Sequence, residues 1–136
     1  MSPPVESSSA ESLSVEAIAF VPSLDLERSR AFFTGPLGLE LREMNDYACV
    51  LRVGSTMVRV TRVEQFTPHP FTVFGLSVPD IRTTAAGLAA RGVEPLRYPG
   101  MTQDGQGIWA APDGTLVLWF HDPDRNVLSL TQFVAS

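Results

Sequence analysis

Two stretches of this chain repeat each other, and that repeat limits its folds more than any single motif does. Asp25 stands 13 residues before Gly38, and Asp80 stands 12 before Gly92. Leu37-Gly38-Leu39-Glu40 matches Arg91-Gly92-Val93-Glu94 at an offset of 54. The period lies just above that of common solenoids, and there are only two copies. One copy, a small sheet with one helix, cannot cover both faces of its sheet. Two copies side by side form a larger curved sheet with helices outside and a cleft within.

Each copy reads as βαβββ. Val15 to Val21 is β-prone, and a helix capped by Ser23 or Asp25 runs to about Phe33, where Gly35-Pro36 stops it. Leu39–Arg42, Tyr47–Val53 and Met57–Val63 follow as strands, separated by Asn45-Asp46 and Gly54-Ser55. After a Pro-rich connector the order restarts with a strand over Phe71–Val78. The next helix opens at Pro79-Asp80, with Ile81, Ala85, Leu88 and Ala89 on one buried face and Gly92 past its end. Strands are expected over Val93–Tyr98, around Ile108–Ala110, and in a closing hairpin on either side of Asp122-Pro123-Asp124-Arg125-Asn126. The fold class is α+β: two βαβββ modules forming a curved mixed, mostly antiparallel sheet around a cleft. Module one spans 15–63, the connector 64–70 and module two 71–133. Residues 1–13, rich in Ser, Pro and Glu, read as a disordered tail ahead of a single domain over 14–136.

Composition narrows the function classes. A net charge of −5 without a basic cluster argues against nucleic acid and anionic membrane as partners. No apolar run is long enough for a transmembrane helix, and the start lacks a secretory signal. The single cysteine, Cys49, excludes an internal disulfide and fits a reducing, cytoplasmic setting.

Val21-Pro22-Ser23-Leu24-Asp25-Leu26-Glu27-Arg28-Ser29, leading to Ala31-Phe32-Phe33 and Leu37-Gly38-Leu39, resembles the first module of the vicinal oxygen chelate superfamily. Glyoxalase I, bleomycin-resistance proteins and extradiol dioxygenases belong to it. Leu76-Ser77-Val78-Pro79-Asp80 with Ala89-Ala90-Arg91-Gly92-Val93 is similar to the start of its second module. Asp122 to Leu128 is similar to its closing Asp-Pro-Asp-Gly-Asn turn, with Arg125 in place of glycine. The resemblance covers about Val15 to Phe133 and implies a homodimer. It also implies four metal ligands, two from each module, mostly His and Glu. The equivalent positions here fall among Glu16, Ala17 and Ile18, near Thr61, at Val73 or a neighbour, and at Ser129. A hydroxyl is a poor substitute for a carboxylate around a dication. No cofactor is therefore expected, and a divalent metal only at a displaced site built from His121, Asp122 and Glu16.

The candidate ligand-binding residues are Arg59, Thr61, Trp109, Trp119, His121, Ser129 and Thr131. Arg59 shares a face with Met57 and Thr61; it is an anion-recognising group if that face lines the cleft and a solvated residue if not. Trp109 and Trp119 read either as core or as an aromatic wall for a ligand. Ser129 lies in plain strand without a nucleophile motif, so it reads as a pocket contact or an inert serine. His121 reads as a strand-end residue, His69 as a surface residue between two prolines, and Cys49 as core. No catalytic residue is assigned. The leading expectation is a metal-independent protein that binds a small, partly apolar or aromatic molecule. Its alternatives are a metal-dependent lyase, isomerase or dioxygenase with a displaced site, and a non-catalytic accessory domain.

Overall fold

Both helices start where an aspartate accepts a backbone hydrogen bond. In the computed structural model, which describes residues 14–135, Asp25 and Asp80 have extended backbones and each accepts the N–H three residues on. Helix α1 (Leu26–Thr34) follows strand β1 (Ile18–Ser23), and β2 (Glu40–Met44), β3 (Ala48–Val53) and β4 (Thr56–Arg62) complete the first module. The second holds β5 (Thr72–Ser77), α2 (Ile81–Ala90), β6 (Trp109–Ala110), β7 (Leu116–His121) and β8 (Val127–Gln132). The expected tail over 1–13 lies outside the described residues.

Each module makes its own four-stranded mixed sheet, ordered β1-β4-β3-β2 and β5-β8-β7-β6. The first and last strands of a module pair parallel; the remaining pairs are antiparallel. The α+β architecture of two βαβββ modules is as the repeat implies. Strands β1 and β5 approach each other, but among the described residues no backbone ladder joins them.

One strand is absent where sequence pattern suggests it. Val93–Tyr98 has no strand pairing; Leu96 N–H donates to the Trp119 carbonyl at 2.7 Å, and Pro95 has no N–H to offer. A side chain takes the place of a neighbouring strand. Gln103 Oε1 accepts from Tyr98 N–H at 2.8 Å, while its Nε2 donates to the Leu96 and Gly107 carbonyls at 2.9 and 2.8 Å.

The period of two along each strand sends alternate residues to the helices. Cys49, Leu51, Val58 and Val60 of module one, and Leu118, Phe120, Leu128 and Leu130 of module two, join Phe33, Ile81 and Leu88 in one core. Phe33 and Phe120 are wholly buried, each contributing roughly 1.5–3 kcal/mol. The other face of each sheet carries no helix. No described helix is long and apolar enough to cross a membrane.

The closing turn ties the modules together. Asp124, whose side chain is fully buried, accepts from Leu24 N–H at 2.9 Å, Arg28 Nη2 at 2.7 Å and Ser29 Oγ at 3.1 Å. Asn126 Nδ2 donates to the Pro22 carbonyl at 3.0 Å. Asp122 shapes the turn from within, its Oδ1 accepting the backbone N–H groups of Asp124 and Asn126 and its Oδ2 accepting Asn126 Nδ2. Burial, with the nearby Asp124 charge, pushes the Asp122 carboxyl above its ordinary range against these hydrogen bonds.

Candidate functional site

The helix-free face of the second sheet is aromatic and uncharged. Since Leu118, Phe120, Leu128 and Leu130 face α2, their neighbours Val117, Trp119, Ser129 and Thr131 face the other way. Trp119 pairs with Ser129 and Val117 with both Thr131 and Trp109. The Trp109 and Trp119 rings lie 6.2 Å apart, and Tyr98 meets Trp119 edge to face at 5.5 Å. Both indoles are half-buried, so they belong to this face and not to the core. Burial pushes the Tyr98 hydroxyl above its usual range.

Ser129 lies between Trp119 and Gly75. It is 8 % exposed, and among the described residues its hydroxyl has no hydrogen-bond partner. A Cβ on Gly75 would come within 2.7 Å of Ser129 Oγ, so only glycine leaves the hydroxyl its place. An unpaired buried hydroxyl costs about 1–3 kcal/mol and calls for an explanation.

The first sheet offers the matching face. Val58 and Val60 turn toward α1, so Met57, Arg59 and Thr61 share the helix-free side with Ile18 and Phe20 of β1. Arg59 therefore lies on the helix-free side. Phe20 is 60 % exposed, and Ile18, Met57 and Val73 are also exposed. The helix caps, Asp25 and Asp80, stand 55 residues apart, and that offset carries Phe20 onto Gly75. Phe20 pairs with Arg59 just as Gly75 pairs with Ser129. Strand register thus makes Arg59 the counterpart of Ser129, and Thr61, paired with Pro22, the counterpart of Thr131.

The remaining candidates stand apart from this group, although His121, two residues beyond Trp119 in β7, shares its side of the sheet by alternation. His121 ends β7 and lines a hollow of about 500 Å³ with Phe32, Arg91 and Pro123. Burial, and then the nearby Arg125 charge, push its imidazole below the ordinary value. Glu16 lines a different hollow, of about 620 Å³, with Arg42, Arg52 and Met57. Asp122 is committed to its turn. The displaced set of His121, Asp122 and Glu16 is not brought together, and no three His, Cys, Asp or Glu residues cluster as metal ligands among the described residues. His69 is exposed and stacks on Phe71 at 5.0 Å. Cys49 is fully buried, and desolvation holds its thiol above the ordinary value, against the pull of Arg30.

The model of the Glyoxalase/Bleomycin resistance protein/Dioxygenase superfamily matches residues 17–130. The chain belongs to that superfamily. Its fold is shared with a superfamily member from Sphaerobacter thermophilus (TM-score 0.70, 21% identity, 90% of this chain and 99% of that one). It is also shared with a lactoylglutathione lyase from Agrobacterium tumefaciens (TM-score 0.69, 15% identity, 88% and 94%). TioX from Micromonospora sp. ML1 has it too (TM-score 0.67, 13% identity, 89% and 100%). No curated protein matches this chain.

The positions where the superfamily resemblance expects metal ligands are held here by Ile18 or its neighbours, Arg59 or Thr61, Val73 or Gly75, and Ser129. Among the neighbours of Ile18 only Glu16 is a usual ligand, and it lines a separate hollow beside Arg42 and Arg52. A guanidinium repels a dication, and aliphatic groups and hydroxyls ligate one poorly, so these residues do not make up a donor set for a divalent metal. Two contributors escaped sequence reasoning. Gly75 carries no turn signal, since its importance comes from the strand beside it. Tyr98 joins the wall with its backbone N–H held by the Gln103 side chain, a contact no local pattern announces.

Proposed function

We propose that this superfamily member binds a small, partly aromatic molecule on its helix-free sheet faces without the help of a metal. The observation that carries this reading is the Ser129 hydroxyl, nine-tenths buried and unpaired, next to a half-buried indole. A bound molecule with one polar atom would supply its missing partner, while its ring packs on Trp119 and Trp109. The exposed Phe20, Ile18 and Val73 beside the seam between modules add apolar surface for the same occupant. Thr61 and Thr131 flank it with hydroxyls, and we propose a second copy of the chain as the protein's other partner.

The test is an NMR titration of chelator-treated protein with neutral bicyclic aromatics such as quinoline. Binding should move the resonances of Trp119, Ser129 and Gly75 and be indifferent to chelator. Trp119→Ala should weaken it about fivefold, about 1 kcal/mol of ring packing. Binding that appears only after Zn, Ni, Mn or Fe is added back would sink the metal-independent reading. Light scattering at twice the chain mass would bear out the second copy.

A further inference from the structure

We infer that the molecule bound here is an anion, an aromatic or other planar acid whose carboxylate is held by Arg59. The inference rests on the binding reading above and names the chemical class of its ligand. Arg59 is half-buried on the helix-free face, between Phe20 of β1 and Val50 of β3 in the strand register. Among the described residues its side chain enters no ion pair and donates no hydrogen bond; the four ion pairs there use Arg28, Arg30, Arg42 and Arg82. A guanidinium partly withdrawn from water and left without an acceptor is poised for a carboxylate, which it can hold through two parallel N–H···O bonds.

Position strengthens this. The internal repeat makes Arg59 and Ser129 counterparts, so they present to the seam from equivalent places on opposite modules. A planar acid could lie on Trp119, meet Ser129 with a polar ring substituent and direct its carboxylate to Arg59. The charged neighbours on the first sheet do not already serve Arg59. Glu43, which pairs with Val50, accepts from Asn45 Nδ2 at 2.8 Å, and Glu40 is engaged by Arg42 at 2.8 Å. Arg52, two residues from Val50 and exposed, donates through Nε to the Gly54 carbonyl. Arg52, paired with Met57, shares this face, so Arg59 is set apart by being the half-buried one of the two and the one without a hydrogen bond among the described residues.

Titration of the full chain with 2-naphthoate and with 2-naphthamide, read by NMR, decides the matter. Wild-type protein should bind the acid at least about tenfold more tightly than the amide. Arg59→Gln should remove that preference while leaving the amide affinity in place, Arg59→Lys should retain part of it, and Arg52→Gln should retain all of it. Equal affinity of the wild type for acid and amide would overturn the role of Arg59 and leave the binding reading standing. So would an acid preference that survives in Arg59→Gln. If neither compound moves the Trp119 or Ser129 resonances, both readings fall together.

Discussion

Arg125 is the one described non-glycine residue with a positive φ, at 69°. The turn keeps the left-handed geometry that its superfamily relatives fill with glycine, and the arginine Cβ carries the strain. Arg125→Gly should raise stability by about 0.5–1 kcal/mol after the entropy of glycine is deducted, measurable as a higher Tm. His121 gives a second residue-scale prediction. Burial and Arg125 hold its folded pKa below the ordinary 6.5. The unfolded chain therefore takes up the proton more readily than the folded one. Stability from the neutral imidazole is fully present above 6.5 and is lost as pH falls through the folded value. An NMR titration should place the His121 midpoint below 6.5, and Arg125→Gly should move it up. A midpoint at or above 6.5 would contradict the burial seen here.

At the scale of elements, the second module is less regular than the first. Its β6 has only two residues, and the stretch expected to pair beside it is held by Gln103. Three hydrogen bonds from one amide stand in for a ladder, so they are concentrated at one replaceable position. Gln103→Ala should cost about 2 kcal/mol by stranding backbone groups that lie partly out of water. Amide exchange at Tyr98 should speed up in that variant, and Tyr98 should loosen against Trp119, visible as a change in tryptophan fluorescence. Unchanged exchange at Tyr98 would mean that packing alone positions this wall.

The molecule as a whole is held together by two different means. Beneath the sheets, one hydrophobic core runs through both modules, with Phe32 of α1 reaching Phe120 of β7 at 6.4 Å. At the closing turn, Asp124 and Asn126 hydrogen-bond groups of module one that lie partly or fully out of water. Asp124→Ala should cost about 3 kcal/mol, because it removes the partner of the Leu24 N–H and the charge facing Arg28, and leaves the Ser29 hydroxyl only Ser23. Urea denaturation should show the loss as a lower midpoint. Because Asp124 lies in the turn beyond the ends of β7 and β8 and its carboxylate bonds residues around module one's helix start, the aromatic face should survive in the molecules that remain folded.

Periodicity, capping and turn chemistry determined the elements of this protein, since these depend on neighbours three or four residues away. Asp25 and Asp80 announce both helices, and the repeat they mark leads to two βαβββ modules. The serine in β8 was equally legible as a departure from a carboxylate. Alternation also told that Met57, Arg59 and Thr61 share a face, but not which face, because a period of two has no sign. Only packing supplied it: Val58 and Val60 go under α1, and Arg59 is left on the open side. The same holds for Ser129, whose unpaired hydroxyl depends on Gly75 and Trp119, brought beside it by strands from 54 and 10 residues away. Sequence determines such residues as candidates; long-range register decides what they meet.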